Sequence, residues 1–142
     1  MKTLSVFFLF SFLFLFLIGC APVSDFNQVA YQQSVTLKTD ALNLISKSNE
    51  NYSVHRSEID SLKLNVENAY QYSKTIPNNI ETVAQWEIIR DPNSSSLFGL
   101  LERWKNKNSL SDAFISEVKI MIASDFNTII DFENNKRKPS NN

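Results

Sequence analysis

The sequence predicts an all-α fold, and three observations support this prediction. Apolar residues recur at spacings of three and four along most of the chain, whereas the alternation typical of strands is weak. Beyond Gly19 the chain holds one glycine, Gly99, and its four prolines fall between the periodic segments. Its 142 residues, 43% of them hydrophobic, suffice for one domain with its own core. We expect an N-terminal antiparallel helical hairpin packed with two short helices and a long C-terminal helix.

The first helix is predicted at about 25–50, with Ser24 as its N-cap. Small and large residues follow one another along one face at steps of four and three. These residues are Ala30, Ser34, Leu37, Ala41, Leu44 and Ser48. Because small side chains let a neighbouring helix approach closely, this face is expected to pack on a partner helix.

The second helix is predicted at about 54–75, after Ser53 as its N-cap. Its apolar face repeats the same spacing, with Ile59, Leu62, Val66, Ala69, Ser73 and Ile76. A short polar break at 49–52 separates it from the first helix, which favours an antiparallel hairpin. The alternative is one long helix that pairs between two chains.

Pro77 is expected to end the second helix, because proline lacks the backbone donor that a helix interior needs. Asn78 or Asn79 then caps a third helix at about 80–90. The apolar residues of this helix are Ile80, Val83, Ala84, Trp86, Ile88 and Ile89. The prediction is therefore a short helix bounded by prolines on both sides.

A fourth short helix is predicted at 97–104, after a turn at 91–93 and a run of three serines at 94–96. Serine oxygens at a helix start accept hydrogen bonds from otherwise unpaired backbone N–H groups. No Gly-x-Ser-x-Gly motif surrounds the serines, and the single histidine, His55, lies far away in sequence. We interpret the serines as helix caps rather than nucleophiles.

The last helix is predicted at about 110–134, with Ser109 as its cap and Asp112 three residues on. Its apolar stripe is wide enough to pack on two neighbouring helices at once. The stripe contains Phe114, Ile115, Val118, Met121, Ile122, Phe126, Ile129 and Phe132. Residues 135–142 are expected to form a disordered basic and polar tail.

The first nineteen residues have the pattern of an export signal. One positive charge, Lys2, precedes an apolar run from Val6 to Ile18, and Gly19 and Cys20 follow. A permanent transmembrane helix needs about 20 apolar residues, and this run is shorter. The pattern predicts a signal peptide at 1–19.

The sequence Leu17-Ile18-Gly19-Cys20 resembles the lipobox of bacterial lipoproteins. This resemblance covers only the signal and its cleavage site. It implies that the Cys20 thiol carries diacylglycerol, that the signal is cut between Gly19 and Cys20, and that the new amine is acylated, for example with palmitate. The expected divisions are then the signal 1–19, a lipidated tether 20–24, one helical domain 25–134 and the tail.

The anchor also predicts a location in the cell envelope. Two or three acyl chains hold a protein on a membrane almost permanently, whereas one chain gives marginal binding. In the lipoprotein class, an Asp after the lipidated cysteine favours the inner membrane, and this chain has Ala21 there. We expect the periplasmic face of the outer membrane if the source is Gram-negative.

Composition and residue types argue against several functions. The net charge of −1 does not suit a nucleic-acid binder, because the only basic cluster is the short run 136–138. His55 is the only histidine and Cys20 the only cysteine, whereas a zinc site needs three or four protein ligands. His55, one turn before Glu58, is expected to be solvated. We predict no metal, no cofactor and no catalytic residues.

One segment, residues 85–105, is a candidate interaction surface. It contains both tryptophans and two arginines: Trp86, Arg90, Arg103 and Trp104. Tryptophan and arginine are enriched at the energetic centres of protein interfaces. Alternatively, the tryptophans fill the core and the arginines pair with Glu87 or Asp91.

These observations predict a membrane-anchored envelope lipoprotein that is not an enzyme. The lipid on Cys20 would attach it to the membrane, and its helical domain would bind a protein partner of the envelope. The alternative function is binding of a lipid or small hydrophobic molecule, which would need a cavity of several hundred cubic ångströms.

Overall fold

The computed structural model describes residues 23–137, which form five α-helices and one short 3₁₀ helix. The α-helices are α1 (Gln28–Ile45), α2 (Arg56–Thr75), α3 (Ile80–Arg90), α4 (Leu97–Lys107) and α5 (Asp112–Asn135). The 3₁₀ helix, Tyr52–His55, precedes α2. Residues 23–137 contain no β-strand, and the predicted all-α class is confirmed. The signal peptide, the lipobox with Cys20, and residues 138–142 of the expected tail lie outside the described residues.

The long helix α5 closes the bundle by packing on α1 and on α3. The other helices contact their neighbours in sequence: α1 packs on α2, α2 on α3, and α3 on α4. Three aromatic side chains, Trp86, Trp104 and Phe126, are the largest in the core. Trp86 and Phe126 meet edge to face with ring centroids 5.9 Å apart, a favourable geometry for aromatic pairs.

Helix α1 is shorter at both ends than the sequence pattern predicts. Its N-cap is Asn27 rather than Ser24, and the Asn27 Oδ1 accepts a hydrogen bond from the Ala30 N–H at 3.0 Å. The helix ends at Ile45, so that Ser48 lies in the following turn. The predicted face of small and large residues is nevertheless buried. The hydroxyl of Ser34 on this face donates to the Ala30 carbonyl at 2.8 Å.

The start of α2 also differs from the prediction. Residues Tyr52–His55 form the 3₁₀ helix, and the α-helix begins only at Arg56. The cap of this turn is Asn51, whose Oδ1 accepts a hydrogen bond from the Ser53 N–H at 2.9 Å. The predicted end at Thr75 is confirmed.

Hydrogen bonds join α1 and α2 near both of their ends. The Asn27 amide, at the start of α1, donates to the Tyr72 hydroxyl near the end of α2 at 3.2 Å. Lys47, just after α1, donates to Glu58 in the first turn of α2 at 2.7 Å. The start of α1 therefore lies beside the end of α2, and the end of α1 beside the start of α2.

Helix α3 has the predicted bounds, Ile80–Arg90. Asn78 adopts a left-handed conformation with φ 56°, which suits the tight reversal of the chain after Pro77. Asn79 is the N-cap residue, but its side chain accepts no hydrogen bond from the first turn, and its amide donates to the Ser73 carbonyl at 3.0 Å. Predicted asparagine capping is therefore wrong in its hydrogen bonds, although the helix starts where expected.

The turn before α4 needs Gly99. A Cβ atom at this position would lie 1.8 Å from the carbonyl oxygen of Ser94, far inside any contact distance. Ser96 is the N-cap residue but makes no side-chain capping bond, so predicted serine capping is wrong at this position. Instead, the Ser94 hydroxyl accepts from the Ser96 N–H at 3.1 Å and lies 2.8 Å from the Asp91 carbonyl. Helix α4 continues three residues beyond the predicted end.

Helix α5 begins after Ser111, not after the predicted Ser109. The Ser111 hydroxyl accepts a hydrogen bond from the Phe114 N–H at 3.4 Å. The buried face follows the predicted stripe and continues to Glu133, a charged residue with no exposed surface. Within residues 23–137, no helix is both long enough and apolar enough to cross a membrane.

Candidate functional site

Both tryptophans of the predicted interaction surface lie in the core. Trp86 and Trp104 are each 1% exposed, so the alternative that the tryptophans fill the core is confirmed and the prediction that they form a surface is wrong. The Trp104 indole N–H donates to the Glu50 carbonyl at 2.9 Å, and its ring meets Tyr52 edge to face at 5.6 Å. Both tryptophans point into the core. Helix α3, which carries Trp86, packs on α5, and helix α4, which carries Trp104, packs on the 3₁₀ helix.

Arg90 is half-buried and holds α3 against α2. Its Nη2 lies 2.7 Å from Oε2 of Glu67, and its guanidinium carbon lies 4.3 Å from the centroid of the Tyr70 ring. Neither Glu87 nor Asp91, the partners considered from the sequence, forms this ion pair. Glu87, three residues earlier on α3, instead accepts a hydrogen bond from the Tyr70 hydroxyl at 3.1 Å.

Arg103 is exposed on α4, and its guanidinium carbon lies 4.1 Å above the ring of Phe114 at the start of α5. Arg90 instead contacts α2. The two arginines therefore reach different neighbouring helices. The four predicted residues do not make one surface, because two are buried and the other two are engaged separately.

His55 is buried, which corrects the expectation of a solvated side chain. It is 7% exposed because the 3₁₀ helix turns its ring toward Trp104, with centroids 5.6 Å apart. Its Nε2 lies 2.8 Å from Oε2 of Glu50, and its Nδ1 lies 3.7 Å from Oε1 of Glu58. Across residues 23–137 no three histidine, cysteine or acidic residues are grouped to hold a metal ion.

A long groove runs between α1 and α2 on the side that no third helix covers. It consists of two adjoining cavities of about 350 and 390 Å³, which share Asp40 and Asn65. We call this the α1–α2 groove; its α1 wall holds Val29, Gln32, Gln33, Thr36, Leu37, Asp40, Asn43, Leu44 and Lys47. Its α2 wall holds Ser57, Glu58, Ser61, Leu62, Asn65 and Asn68. Most lining groups are amides, hydroxyls and charged groups, with leucines at the floor.

One acceptor in the α1–α2 groove has no hydrogen-bond partner. The Oε1 atom of Gln33 is buried, yet no donor of the described residues reaches it. A buried and unpaired acceptor costs about 1–3 kcal/mol. His55 Nδ1 and the second oxygen of Glu133 are also buried and unpaired among the described residues, but Gln33 is the one of the three that lines the groove. A donor supplied by a bound partner would remove the penalty at Gln33.

A salt bridge closes one end of the groove. Lys47 Nζ lies 2.7 Å from Oε2 of Glu58, and both side chains are about half exposed. The hydrogen bond from Lys47 lowers the pKa of the Glu58 carboxyl, against a smaller opposing effect of burial. Glu58 is therefore ionised near neutral pH. This end of the groove presents one positive and one negative charge within 3 Å.

A second polar arrangement is buried at the opposite end of the bundle. We call it the proximal polar cluster, because it lies at the end of the bundle where the described chain begins. Its members are Ser24, Asn79, Thr82, Glu133 and Lys136. The Thr82 hydroxyl donates to Oε1 of Glu133 at 2.7 Å, and Lys136 pairs with the same carboxylate. Lys136 also donates to the Asn79 side chain, which accepts from the Ser24 hydroxyl at 3.3 Å.

The burial of Lys136 corrects its expected place in a frayed tail. Its side chain is 4% exposed and that of Glu133 is fully buried. The second carboxylate oxygen of Glu133 has no hydrogen-bond partner. The periodic apolar stripe of α5 gave no signal of this pair, because Glu133 occupies a position on the buried face where a hydrophobic residue is the usual choice.

Neither polar arrangement has the parts of a familiar catalytic site. The proximal polar cluster pairs its carboxylate, ammonium and hydroxyl with one another, and the α1–α2 groove offers open hydrogen-bonding surface. Comparisons with protein-family models, curated proteins and solved structures found no match to this chain.

Proposed function

We propose that this chain is a lipid-anchored protein of a bacterial cell envelope whose helical domain binds another protein without catalysing a reaction. The lipid would be carried by Cys20, and the binding surface would be the α1–α2 groove. The observation that supports this proposal best is that the packed domain begins only four residues after Cys20, at Ser24. The Ser24 N–H donates to the Asn78 carbonyl at 3.2 Å, and Ser24 is 8% exposed.

The short connection limits how the domain can move relative to the membrane. Four peptide units join Cys20 to Ser24, and they span at most about 14 Å. A domain joined this closely to a lipid cannot move far from the membrane surface. Its lateral faces, including the α1–α2 groove, would be presented at a nearly constant height to proteins anchored in the same membrane.

The chemistry of the α1–α2 groove favours a protein partner over a hydrophobic ligand. Protein interfaces combine hydrogen bonds with a small apolar centre. The groove offers this combination, with the unpaired Gln33 oxygen, many side-chain amides, and Val29 that is 49% exposed. A polar partner side chain or backbone N–H could donate to Gln33. The alternative, a lipid or hydrophobe carrier, needs an enclosed cavity, whereas this groove is open to solvent along its length.

Site-specific crosslinking in living cells tests the proposed function. A photoreactive amino acid is placed at Thr36, an exposed residue of the α1–α2 groove, and for comparison at Ile120, which is 75% exposed on α5. We expect one dominant crosslinked protein from position 36 and none from position 120. We also expect the product to disappear when Cys20→Ser removes the lipid attachment site.

Mass spectrometry of the mature N-terminus is measured in parallel. Diacylglycerol and acyl groups on Cys20 would support the anchor. An unmodified Cys20 would refute the anchor. The same crosslinked products from positions 36 and 120 would refute the groove as the binding surface, and lipid that copurifies without a crosslinked protein would favour the carrier alternative.

A further inference from the structure

Two aliphatic side chains are exposed at the end of the bundle that lies nearest to Cys20. Ile80, the first residue of α3, is 75% exposed, and Val23 is 62% exposed. The hydrogen bond from Ser24 to the Asn78 carbonyl brings Val23 next to the turn that precedes Ile80. Pro77 is exposed in the same turn. We call Val23, Pro77 and Ile80 the proximal tip.

The proximal tip continues into an apolar groove between α2 and α3. This groove, of about 500 Å³, has Ile76, Val83 and Ala84 among its lining residues. Lys74 and Glu87 lie along it and carry opposite charges. An apolar tip and groove at the end of a bundle suit contact with a medium less polar than water, because removing apolar surface from water is favourable.

Aromatic and cationic side chains lie at the same end of the bundle as the tip. The guanidinium carbon of Arg137 lies 4.3 Å from the Phe26 ring centroid and 5.0 Å from that of Tyr31. Aromatic and long basic side chains are the usual residues at the boundary between a bilayer and water. Glu81, exposed beside Ile80, offsets part of the positive charge. Apolar contact, rather than attraction to anionic lipids, would therefore dominate binding.

The length of chain outside the structure brings this end to the membrane. Val23 lies three residues after Cys20, and three extended residues span at most about 11 Å. With the acyl chains of Cys20 in the hydrocarbon layer, Val23 would lie within the depth of the headgroup region. This step depends on the lipid anchor of the proposed function.

We propose that the proximal tip inserts into the surface of the bilayer and orients the bundle upon it. Val23, Pro77 and Ile80 enter the boundary between headgroups and acyl chains. The axes of α1 and α2 then point away from the membrane. The occupant of this exposed apolar end is a lipid surface, and a protein docked on the tip is the competing outcome.

The opposite end of the bundle supplies a matched control residue. Val54, in the 3₁₀ helix, is 70% exposed and is aliphatic like Ile80. It lies near the end of α1, whereas Ile80 lies near the start of α1. The 18 residues of α1 span about 27 Å, which exceeds the depth of the headgroup layer. In the proposed orientation Val54 remains in water.

The experiment uses the lipidated protein in vesicles of phosphatidylcholine and phosphatidylglycerol. Ile80→Cys and Val54→Cys each provide one free thiol, because lipidation consumes that of Cys20, and each is labelled with an environment-sensitive fluorophore. We expect a nitroxide on the lipid acyl chains to quench the label at position 80 at least threefold more than the label at position 54. Iodide in the water should show the reverse order.

Equal quenching at the two positions in protein that floats with the vesicles would overturn the proposed orientation. A label at position 80 shielded from both quenchers would indicate a docked protein or a second copy instead, and would overturn it too. Protein that carries no lipid and does not float would refute the anchor and hence the proposed function. Flotation thus separates the failure of the two proposals.

Discussion

The two ends of the bundle are closed by different kinds of interaction. At the distal end, which is the end that holds the 3₁₀ helix, Trp104 packs against Tyr52 and His55, with its indole N–H bonded to the Glu50 carbonyl. At the proximal end, the buried carboxylate of Glu133 is held by Lys136 and Thr82, as described above. One end is filled mainly by apolar side chains, and the other holds a buried ion pair in which each charge neutralises the other.

Different substitutions are therefore expected to destabilise the two ends. An aromatic side chain in a core contributes through its whole surface, so its removal is costly whatever its neighbours do. A buried ion pair contributes little net stability, because desolvation offsets the attraction between the charges. Its weakness is the loss of one partner, which leaves the other charge buried and unpaired.

The largest effect is expected at the distal end. Trp104→Ala should lower the free energy of unfolding by about 4 kcal/mol, through the lost apolar burial and the cavity left behind. Urea denaturation followed by circular dichroism measures this change. Trp104→Phe keeps most of the packing but loses the hydrogen bond to Glu50, and should cost clearly less. A loss below about 1 kcal/mol for Trp104→Ala would contradict the described core.

The next largest effect tests the proximal polar cluster. Lys136→Met should lower the free energy of unfolding by about 3 kcal/mol, because it leaves the carboxylate of Glu133 buried without its counterion. The double variant Lys136→Met with Glu133→Met should regain most of that loss. The measurement is a double-mutant cycle by urea denaturation at neutral pH. Additive losses in the double variant would show that the pair is not coupled as described.

A medium effect is expected between the two ends, at the turn before α4. Gly99→Ala should cost about 2 kcal/mol, because the added methyl group overlaps the Ser94 carbonyl and forces the backbone to shift. The control is Ala84→Gly on exposed helix surface, which should cost less than about 1 kcal/mol from helix propensity alone. Equal melting temperatures for Gly99→Ala and the unchanged protein would contradict the close approach.

The smallest effect concerns the half-buried ion pairs on the sides of the bundle. Lys63 donates to Glu102 at 2.8 Å, and this hydrogen bond lowers the pKa of the Glu102 carboxyl below its ordinary value. A carboxyl with a lowered pKa in the folded state stabilises the protein above its unfolded pKa. That contribution is lost as the pH falls through the folded pKa.

Glu102→Gln should therefore lower stability by less than about 1 kcal/mol at pH 7 and by nothing at pH 2. Urea denaturation of both proteins from pH 7 to pH 2 measures the difference. The same sign is expected for Glu67, whose pKa is lowered by hydrogen bonds from Gln71 and Arg90. A difference that grows toward acid pH would contradict the assignment.

Several elements of the fold could be predicted from local sequence signals. The bounds of α3 followed from Pro77 and Pro92, because proline ends helices by local geometry. The end of α2 followed from the same Pro77. The starts of α1, α2 and α5 were misplaced by two or three residues, because several Ser and Asn residues near each start could cap it, and tertiary contacts selected among them.

The candidate site was less predictable than the fold. Trp86, Arg90, Arg103 and Trp104 were grouped as one surface because residues enriched at interfaces are also residues that fill cores. The sequence spacing does not reveal which neighbour covers a helix face. The α1–α2 groove could not be predicted from the sequence. Its polar residues have the pattern of an ordinary solvated helix face, and they form a groove only because the two helices pack side by side.

The all-α class and the order of the helices follow from the sequence alone, whereas the need for glycine at position 99 follows from the approach of the Ser94 carbonyl. The class and the helix order depend on hydrophobic period, proline positions and composition, which act within a few residues. Packing between distant segments buries His55 and brings the Thr82 hydroxyl to Glu133. The Thr82 hydroxyl that bonds to Glu133 is 51 residues away in sequence. Partners of buried polar groups are set by packing between distant segments, which local patterns do not encode.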